Sequence, residues 1–254
     1  METVHVRDLY NEANTETIGR LSKSLWDEVK SFVEEGVAAS SRKKREDIHF
    51  LDAGCGTGRY LAHAASLGVR HLAGIDNSQR MISESLSRCP LPQEGTRSLH
   101  VADVRNAGKV FAPSSFDMIL CTAVIPHIQS EDGRKCTLVN LIRLLKPGGD
   151  LLVSAWAKDM ITNTRMLDKM ERSDAESDNE RDYLVTLEGK QWYYYMFTKQ
   201  EFQFFVMECC RLQGGKGLAV DFFESHDNYF AKISKHTFYR EVRDTELCKL
   251  KTEK

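Results

Sequence analysis

No apolar run in this 254-residue chain approaches the ~20 residues that a membrane-spanning helix needs. The first residues, Met1 to Asp8, are mixed and charged and lack the apolar core of a signal peptide. There is no Cys-x-x-Cys pair, and the adjacent Cys209 and Cys210 have poor geometry for a shared ion, so no metal site is expected. The 7 cysteines are odd in number and fall inside apparent strands and helices, which speaks against a disulfide framework. These absences predict a cytoplasmic protein, with the nucleus as the other reducing compartment. A basic excess is missing too: 35 Lys and Arg stand against 37 Asp and Glu. A protein that lives mainly by holding nucleic acid usually carries one. The single basic run, Arg42 to Arg45, reads as a solvated linker before the first strand. No internal repeat is visible.

What is present is ordinary globular composition, with 41% hydrophobic and 28% charged residues. The length suits one enlarged α/β domain. Residues 1–47 read as an N-terminal helical region. In it Leu21, Leu25, Val29, Phe32 and Val33 recur at helical spacing between Leu9 and Gly36, with Gly36 as the stop signal. Residues 48–235 read as the main domain and 236–254 as a charged tail. From Ile48 onward apolar strand-like runs alternate with helical ones. Strands are expected at 48–51, 69–76, 98–102, 116–122 and 151–155, and helices at 57–66, 78–88 and 131–145, the last closed by Lys146-Pro147-Gly148-Gly149. Such alternation implies a parallel sheet with helices on both faces. The charged stretch from Asp168 to Asp182 reads as a mobile loop. After the aromatic run Trp192 to Phe197, Thr198 and Glu201 form a capping box for a helix to Leu212. Two last strands, Ala219–Phe223 and Tyr229–Ile233, make a C-terminal hairpin.

The sharpest motif is Leu51-Asp52-Ala53-Gly54-Cys55-Gly56-Thr57-Gly58. Glycines between a strand and a helix permit a tight turn and close approach of a ligand, and the helix adds free N–H donors. Asp76 ends the next strand, where a carboxylate can hold both hydroxyls of a ribose. Asp103 ends the third, where it can accept from an adenine amino group. These three strand ends are where open α/β sheets bind ligands. Asp52, next to the first glycine, would oppose a pyrophosphate but could orient a cationic amino-acid group.

Asp-Ala-Gly-Cys-Gly-Thr-Gly resembles the first motif of class I S-adenosylmethionine-dependent methyltransferases, and Lys146-Pro147-Gly148-Gly149 resembles their signature ahead of the fifth strand. The resemblance implies a Rossmann-like fold with a mostly parallel seven-stranded sheet and S-adenosyl-L-methionine as cofactor. It implies a cofactor site of Asp52, Gly54, Cys55, Gly56, Gly58, Asp76, Asn77, Met81, Asp103, Val104 and Thr122.

Further stretches, from about Val4 to Ser234, resemble the tRNA methyltransferases that esterify 5-carboxymethyluridine at the wobble position, a domain also found fused to AlkB-type dioxygenases. Ala123-Val124-Ile125-Pro126-His127 is similar to the family's Ala-Val-Ile-His-His, with Pro126 in place of the first His. Trp156-Ala157 is similar to its Trp-Ala. Tyr193-Tyr194-Tyr195-Met196-Phe197 resembles its Tyr-Tyr-His-Leu-Phe, with Trp192 where Arg is usual. Asp227-Asn228-Tyr229 resembles its Asp-Asn-Trp. Arg20 matches its Arg before a Pro-Trp pair, with Leu25 where the proline is usual. The resemblance implies His127 and Arg20 as catalytic residues, and Trp156, Tyr193, Tyr194 and Asn228 as substrate-binding. It implies the tRNA anticodon loop as substrate and a small zinc-binding activator subunit as partner. A carboxylate is already ionised at neutral pH, so such a reaction needs positioning and a dry pocket rather than a base. Two other readings stay open: a small-molecule or protein methyltransferase on the same scaffold, and a non-catalytic cofactor-binding homologue. Each residue also has a plainer role. His127 and the aromatics can be core, Arg20 a surface residue, Cys55 a small packed side chain and Asn228 part of a hairpin turn.

Overall fold

The computed structural model describes residues 6–12, 25–39, 44–89, 91–92, 94–158, 170–172, 182–187, 190–215 and 217–237. Arg20 and most of the tail lie outside them. Helix α1 spans Val6–Asn11 and α2 Asp27–Ala39. Strand β1 is His49–Ala53, α3 Arg59–Ser66, β2 His71–Asp76, α4 Gln79–Arg88 and β3 Thr96–Val101. Then come the one-turn α5 (Ala107–Val110), β4 (Phe116–Cys121), a 3-10 turn at Ile125–His127, α6 (Glu131–Leu144) and β5 (Leu145–Trp156). Strands β6 (Met170–Arg172), β7 (Asp182–Leu187) and β8 (Lys190–Tyr195) precede α7 (Lys199–Leu212), β9 (Leu218–Ser225) and β10 (Asn228–Lys235).

Seven strands form one sheet in the order β3-β2-β1-β4-β5-β10-β9. The first five are parallel, and β10 runs antiparallel to both β5 and β9. The apolar runs that marked the strands are explained by burial on both faces. Phe50, Leu120 and Leu152 pack on one face against Val33 and Phe32 of α2 and Leu61 of α3. Their neighbours Leu51, Ile119, Leu151 and Val153 pack on the other, against Leu138 and Leu141 of α6 and Phe205 of α7. Strand order reverses between β1 and β4, which opens a crevice outside the strands' carboxyl ends.

The expected class I methyltransferase fold, with its closing hairpin, is present, and the structure refines several local expectations. Gly36 does not end α2, which runs on to Ala39. A Cβ at Gly36 would collide with the Met118 side chain, so the glycine serves close helix–sheet packing. The Lys146–Gly149 turn is absorbed into β5. Phe116 pairs with Leu145 but Met118 with Asp150, so these four residues bulge opposite Asp117, whose carboxylate takes Lys146 Nζ at 2.8 Å. The stretch read as a loop contributes β6 at Met170–Arg172, and Asp182 opens β7. Strands β6, β7 and β8 form a separate antiparallel sheet. Its Val185, Trp192 and Tyr194 pack with Leu9 of α1. The capping box of α7 is formed as expected, with Thr198 and Glu201 bonding each other's backbone N–H.

Candidate active site

At the switch point lies a cleft of about 710 Å³. Its floor is the Gly54–Thr57 turn between β1 and α3. Gly54 has φ +84°, and a Cβ there would strike the Val124 side chain. Gly58 caps α3 at φ +76°, and a Cβ there would strike Ser85. Gly56 differs: a Cβ would meet nothing within 4 Å, so its bare backbone faces open space in the cleft. Asp76, at the end of β2, accepts from Gly56 N–H and Ser78 N–H at 2.9 Å each. Burial raises its carboxyl above the usual range, and those two donors oppose the rise. Asn77, Met81, Val104 and Thr122 also line the cleft.

Asp52 sits behind this floor at 1% exposure. Its Oδ2 has no hydrogen-bond partner. Burial pushes the carboxyl up to about 7, Asp76 adds to the rise, and Arg59 opposes it. A buried, unpartnered carboxylate oxygen is costly unless a ligand group meets it. That oxygen, the open space over Gly56 and the acidic strand end at Asp76 together fit a cofactor with a cationic amino-acid group and a ribose. Asp103 is more engaged than expected. Arg105 Nε lies 3.0 Å from both carboxylate oxygens and its Nη2 2.7 Å from Oδ2.

The opposite wall comes from the segment after β4. Ala123 has φ +56° and donates its N–H to Ser154 Oγ at 3.1 Å. A non-glycine residue in this region is strained, and such strain clusters at functional sites. His127 follows in the 3-10 turn and lines the cleft. Its Nδ1 lies 3.2 Å from the Tyr193 carbonyl oxygen. A carbonyl only accepts, so Nδ1 carries the proton and Nε2 is left as an acceptor. Burial pushes the imidazole down to about 4, so it is neutral at physiological pH.

The four expected substrate residues lie behind the cleft's wall rather than on its lining. Tyr194 lies 4.5 Å from the His127 ring and stacks on Trp156 at 4.5 Å. Tyr193 turns its hydroxyl to Asp182 Oδ1 at 2.6 Å. Asn228 pairs with Trp156 across β10 and β5 and donates its Nδ2–H to the His226 carbonyl. Tyr193, Tyr194 and Asn228 are buried, and Trp156 is partly exposed. Several cleft residues carried no strong signal in the sequence. Tyr10 of α1 lines the cleft, packs beside Met81 and meets Trp192 edge-on at 4.9 Å. Arg59 lies over the Tyr60 ring at 4.7 Å; its place directly after the glycine motif could have flagged it. Arg7 and Arg105 stand at the rim, roughly half exposed. Among the described residues no group of acidic, His or Cys side chains could hold a metal ion.

Comparison with known proteins agrees with this geometry. A family model described as a methyltransferase domain matches residues 44–201. "Probable tRNA methyltransferase 9B" of Bos taurus is 27% identical over 159 residues, covering 63% of this chain and 30% of the relative. The tRNA (carboxymethyluridine(34)-5-O)-methyltransferase of Arabidopsis thaliana is 29% identical over 144 residues, covering 57% of this chain and 30% of the relative. This chain thus spans under a third of the length of these two relatives. A solved S-adenosylmethionine-dependent methyltransferase of Methanosarcina mazei superposes with a TM-score of 0.57 at 22% identity, over 76% of this chain and 94% of that one. The chain belongs to the methyltransferase-domain family and has the class I S-adenosylmethionine-dependent methyltransferase fold.

Proposed function

We propose that the chain is a tRNA methyltransferase that esterifies the carboxylate of 5-carboxymethyluridine at the wobble position. The observation that carries this reading is that, among the described residues lining the cleft, no side chain is a competent base near neutrality, while Asp52, pushed up to about 7, lies behind the floor and is assigned to the cofactor's cationic group. His127 is held down to about 4, Asp76 is spent on two backbone N–H groups and Asp103 on Arg105. Burial raises the Tyr10 and Cys55 groups, so neither ionises readily. A nucleophile that must lose a proton is poorly served here, whereas a carboxylate is ionised already.

The residues that would hold the cofactor are Asp52, Gly54, Cys55, Gly56, Gly58, Asp76, Asn77, Met81, Asp103, Val104 and Thr122. The bound cofactor supplies an electrophilic methyl group on a sulfonium. The protein's own contribution is orientation and exclusion of water. Tyr10, Val124 and Ile128 bring apolar surface to the cleft. Attack of an anion on a cation is favoured where water is excluded. The neutral His127 Nε2 is suited to accept from the imide N–H of a uracil ring. Trp156, the partly exposed member of the aromatic group, is assigned to stacking on the base. Tyr193, Tyr194 and Asn228 support it from behind. Arg20 is assigned to the substrate carboxylate or a phosphate. A small zinc-binding activator subunit completes the proposal, in the cytoplasm.

The test is methyl transfer to bulk tRNA from cells lacking this protein, with the activator subunit present and nucleosides read by mass spectrometry. The methyl ester of 5-carboxymethyluridine is the expected product. Transfer that survives ribonuclease treatment, with no label in RNA, would instead establish a small-molecule or protein substrate.

A further inference from the structure

Arg134, on α6, is only 3% exposed. A charged side chain this deep is rare unless its donors are met. Nη1 donates to the carbonyls of Ile128 at 2.8 Å and Gln129 at 2.7 Å. The guanidinium carbon lies 3.6 Å from the centre of the Tyr195 ring, a cation–π contact. Ile128 and Gln129 follow His127 directly and line the cleft. The buried cation is thus anchored on α6 and β8, and it grips the loop that forms the cleft's wall.

Tyr193 closes the same circuit from β8. Its hydroxyl donates to Asp182 Oδ1 at 2.6 Å, tying β8 to β7, while its main-chain carbonyl accepts from His127 Nδ1 at 3.2 Å. The imidazole is therefore held between a loop fixed by Arg134 and a carbonyl fixed by the second sheet. An apolar side chain could fill the volume of Arg134, but it would take the guanidinium donor from the Ile128 and Gln129 carbonyls, the latter keeping the Tyr193 hydroxyl at 3.4 Å. The fork geometry of arginine lets one planar group serve both carbonyls and the aromatic face at once.

We infer that Arg134 and Tyr193 are positioning residues of the methyl-transfer site: they hold His127 as its Nδ1–H tautomer, with Nε2 kept as an acceptor toward the cleft. The role of Nε2 toward substrate rests on the uridine reading above; the tautomer itself does not. Neither Arg134 nor Tyr193 touches the cofactor through its side chain in this assignment, so cofactor binding is expected to be independent of them.

The experiment uses the full chain, labelled with nitrogen-15, and reads the His127 ring by long-range proton–nitrogen correlation at pH 7. The native protein is expected to show pyrrole-type Nδ1 and pyridine-type Nε2 signals. Arg134→Gln, which keeps shape but offers fewer donors and no charge, is expected to give a mixture of both tautomers. Cofactor affinity, by calorimetry, is expected to stay within about threefold. On modified tRNA, kcat is expected to fall by about tenfold with KM nearly unchanged. Arg134→Lys, which keeps the charge and one donor, is expected to restore part of the native tautomer. A folded Arg134→Gln protein with the native His127 signals would overturn the inference. Should that variant not fold, native signals in Arg134→Lys would overturn it and a mixed pattern would support it. If tRNA proves not to be the substrate, the spectral result still decides the matter.

Discussion

Arg105 grips Asp103 through both carboxylate oxygens, with its own main-chain N–H 2.8 Å from Oδ1 and Nε 3.0 Å from each oxygen. The acid assigned to the adenine amino group is therefore pre-oriented by a residue two positions on. Both partners are partly exposed, at 51% and 29% for the side chains. Such pairs contribute only ~0–1 kcal/mol. Arg105→Ala is thus expected to change cofactor affinity less than about fivefold, by the same measure. Asp103→Ala removes the acceptor itself and is expected to weaken binding about tenfold, one net hydrogen bond of ~1–1.5 kcal/mol. Calorimetry on the two variants checks the ranking; equal losses would mean that Asp103 acts only through Arg105.

Asp52 predicts a pH dependence. Its folded carboxyl titrates near 7, above the usual carboxylate value, because burial disfavours the charge. A cationic ligand group favours the ionised form, so below about pH 7 a proton must leave when cofactor binds. Affinity is expected to rise from pH 6 to 8, by up to about tenfold per unit below the pKa, and then level off. Proton release measured in buffers of different ionisation enthalpy checks this. In Asp52→Asn the rise should vanish.

The same group bears on stability, with the opposite preference. A folded pKa raised above the unfolded one means that the folded state holds the proton longer. The resulting destabilisation is absent below the unfolded pKa, grows as pH rises, and is complete above about 7. Asp52→Asn is expected to be more stable than the native chain at pH 8, by at most ~4 kcal/mol, and less so at pH 5. Denaturant midpoints at the two pH values test it. A gain in stability joined to a loss of cofactor affinity is the mark of a functional group kept at a structural cost.

His127 predicts a flat rate profile. Its imidazole is neutral above about 4, held there by burial. A carboxylate substrate is also fully ionised above ~5. Under saturating cofactor, kcat is expected to be level between pH 6 and 8. A log-linear rise with pH over that range would point to an amine or hydroxyl nucleophile and would sink the carboxylate reading.

Thr198→Ala offers a control far from the chemistry. It removes the side-chain acceptor that meets Glu201 N–H at the start of α7. About 1 kcal/mol of stability should go, or roughly 2–4 °C in Tm for a chain of this size. Cofactor affinity should not move.

Local sequence rules proved strongest where the chemistry is local. The glycine turn, the acids at strand ends, the Ser78 and Thr198 caps and the closing hairpin each follow from residue type and short spacing. They were legible because backbone sterics, capping and strand periodicity act over a few residues. Less was legible where a role depends on a distant neighbour. Gly36 looked like a stop, but Met118 is why it is glycine. The charged stretch before Tyr183 masked β6, which forms by pairing with β7, not by its own propensity.

By itself, then, the sequence determined the α/β fold of the methyltransferase-domain family, with a glycine turn and acids at the strand ends, since that information lies in contiguous motifs. Only the tertiary structure decided how the second sheet serves that site. It placed Tyr10 at the cleft, turned Tyr193 and Tyr194 inward behind His127, and set Arg134 on the carbonyls that follow it. The bond from His127 to Tyr193, for one, joins residues 66 positions apart. They depend on which faces the folded sheets bury together, and no local pattern in a chain encodes that.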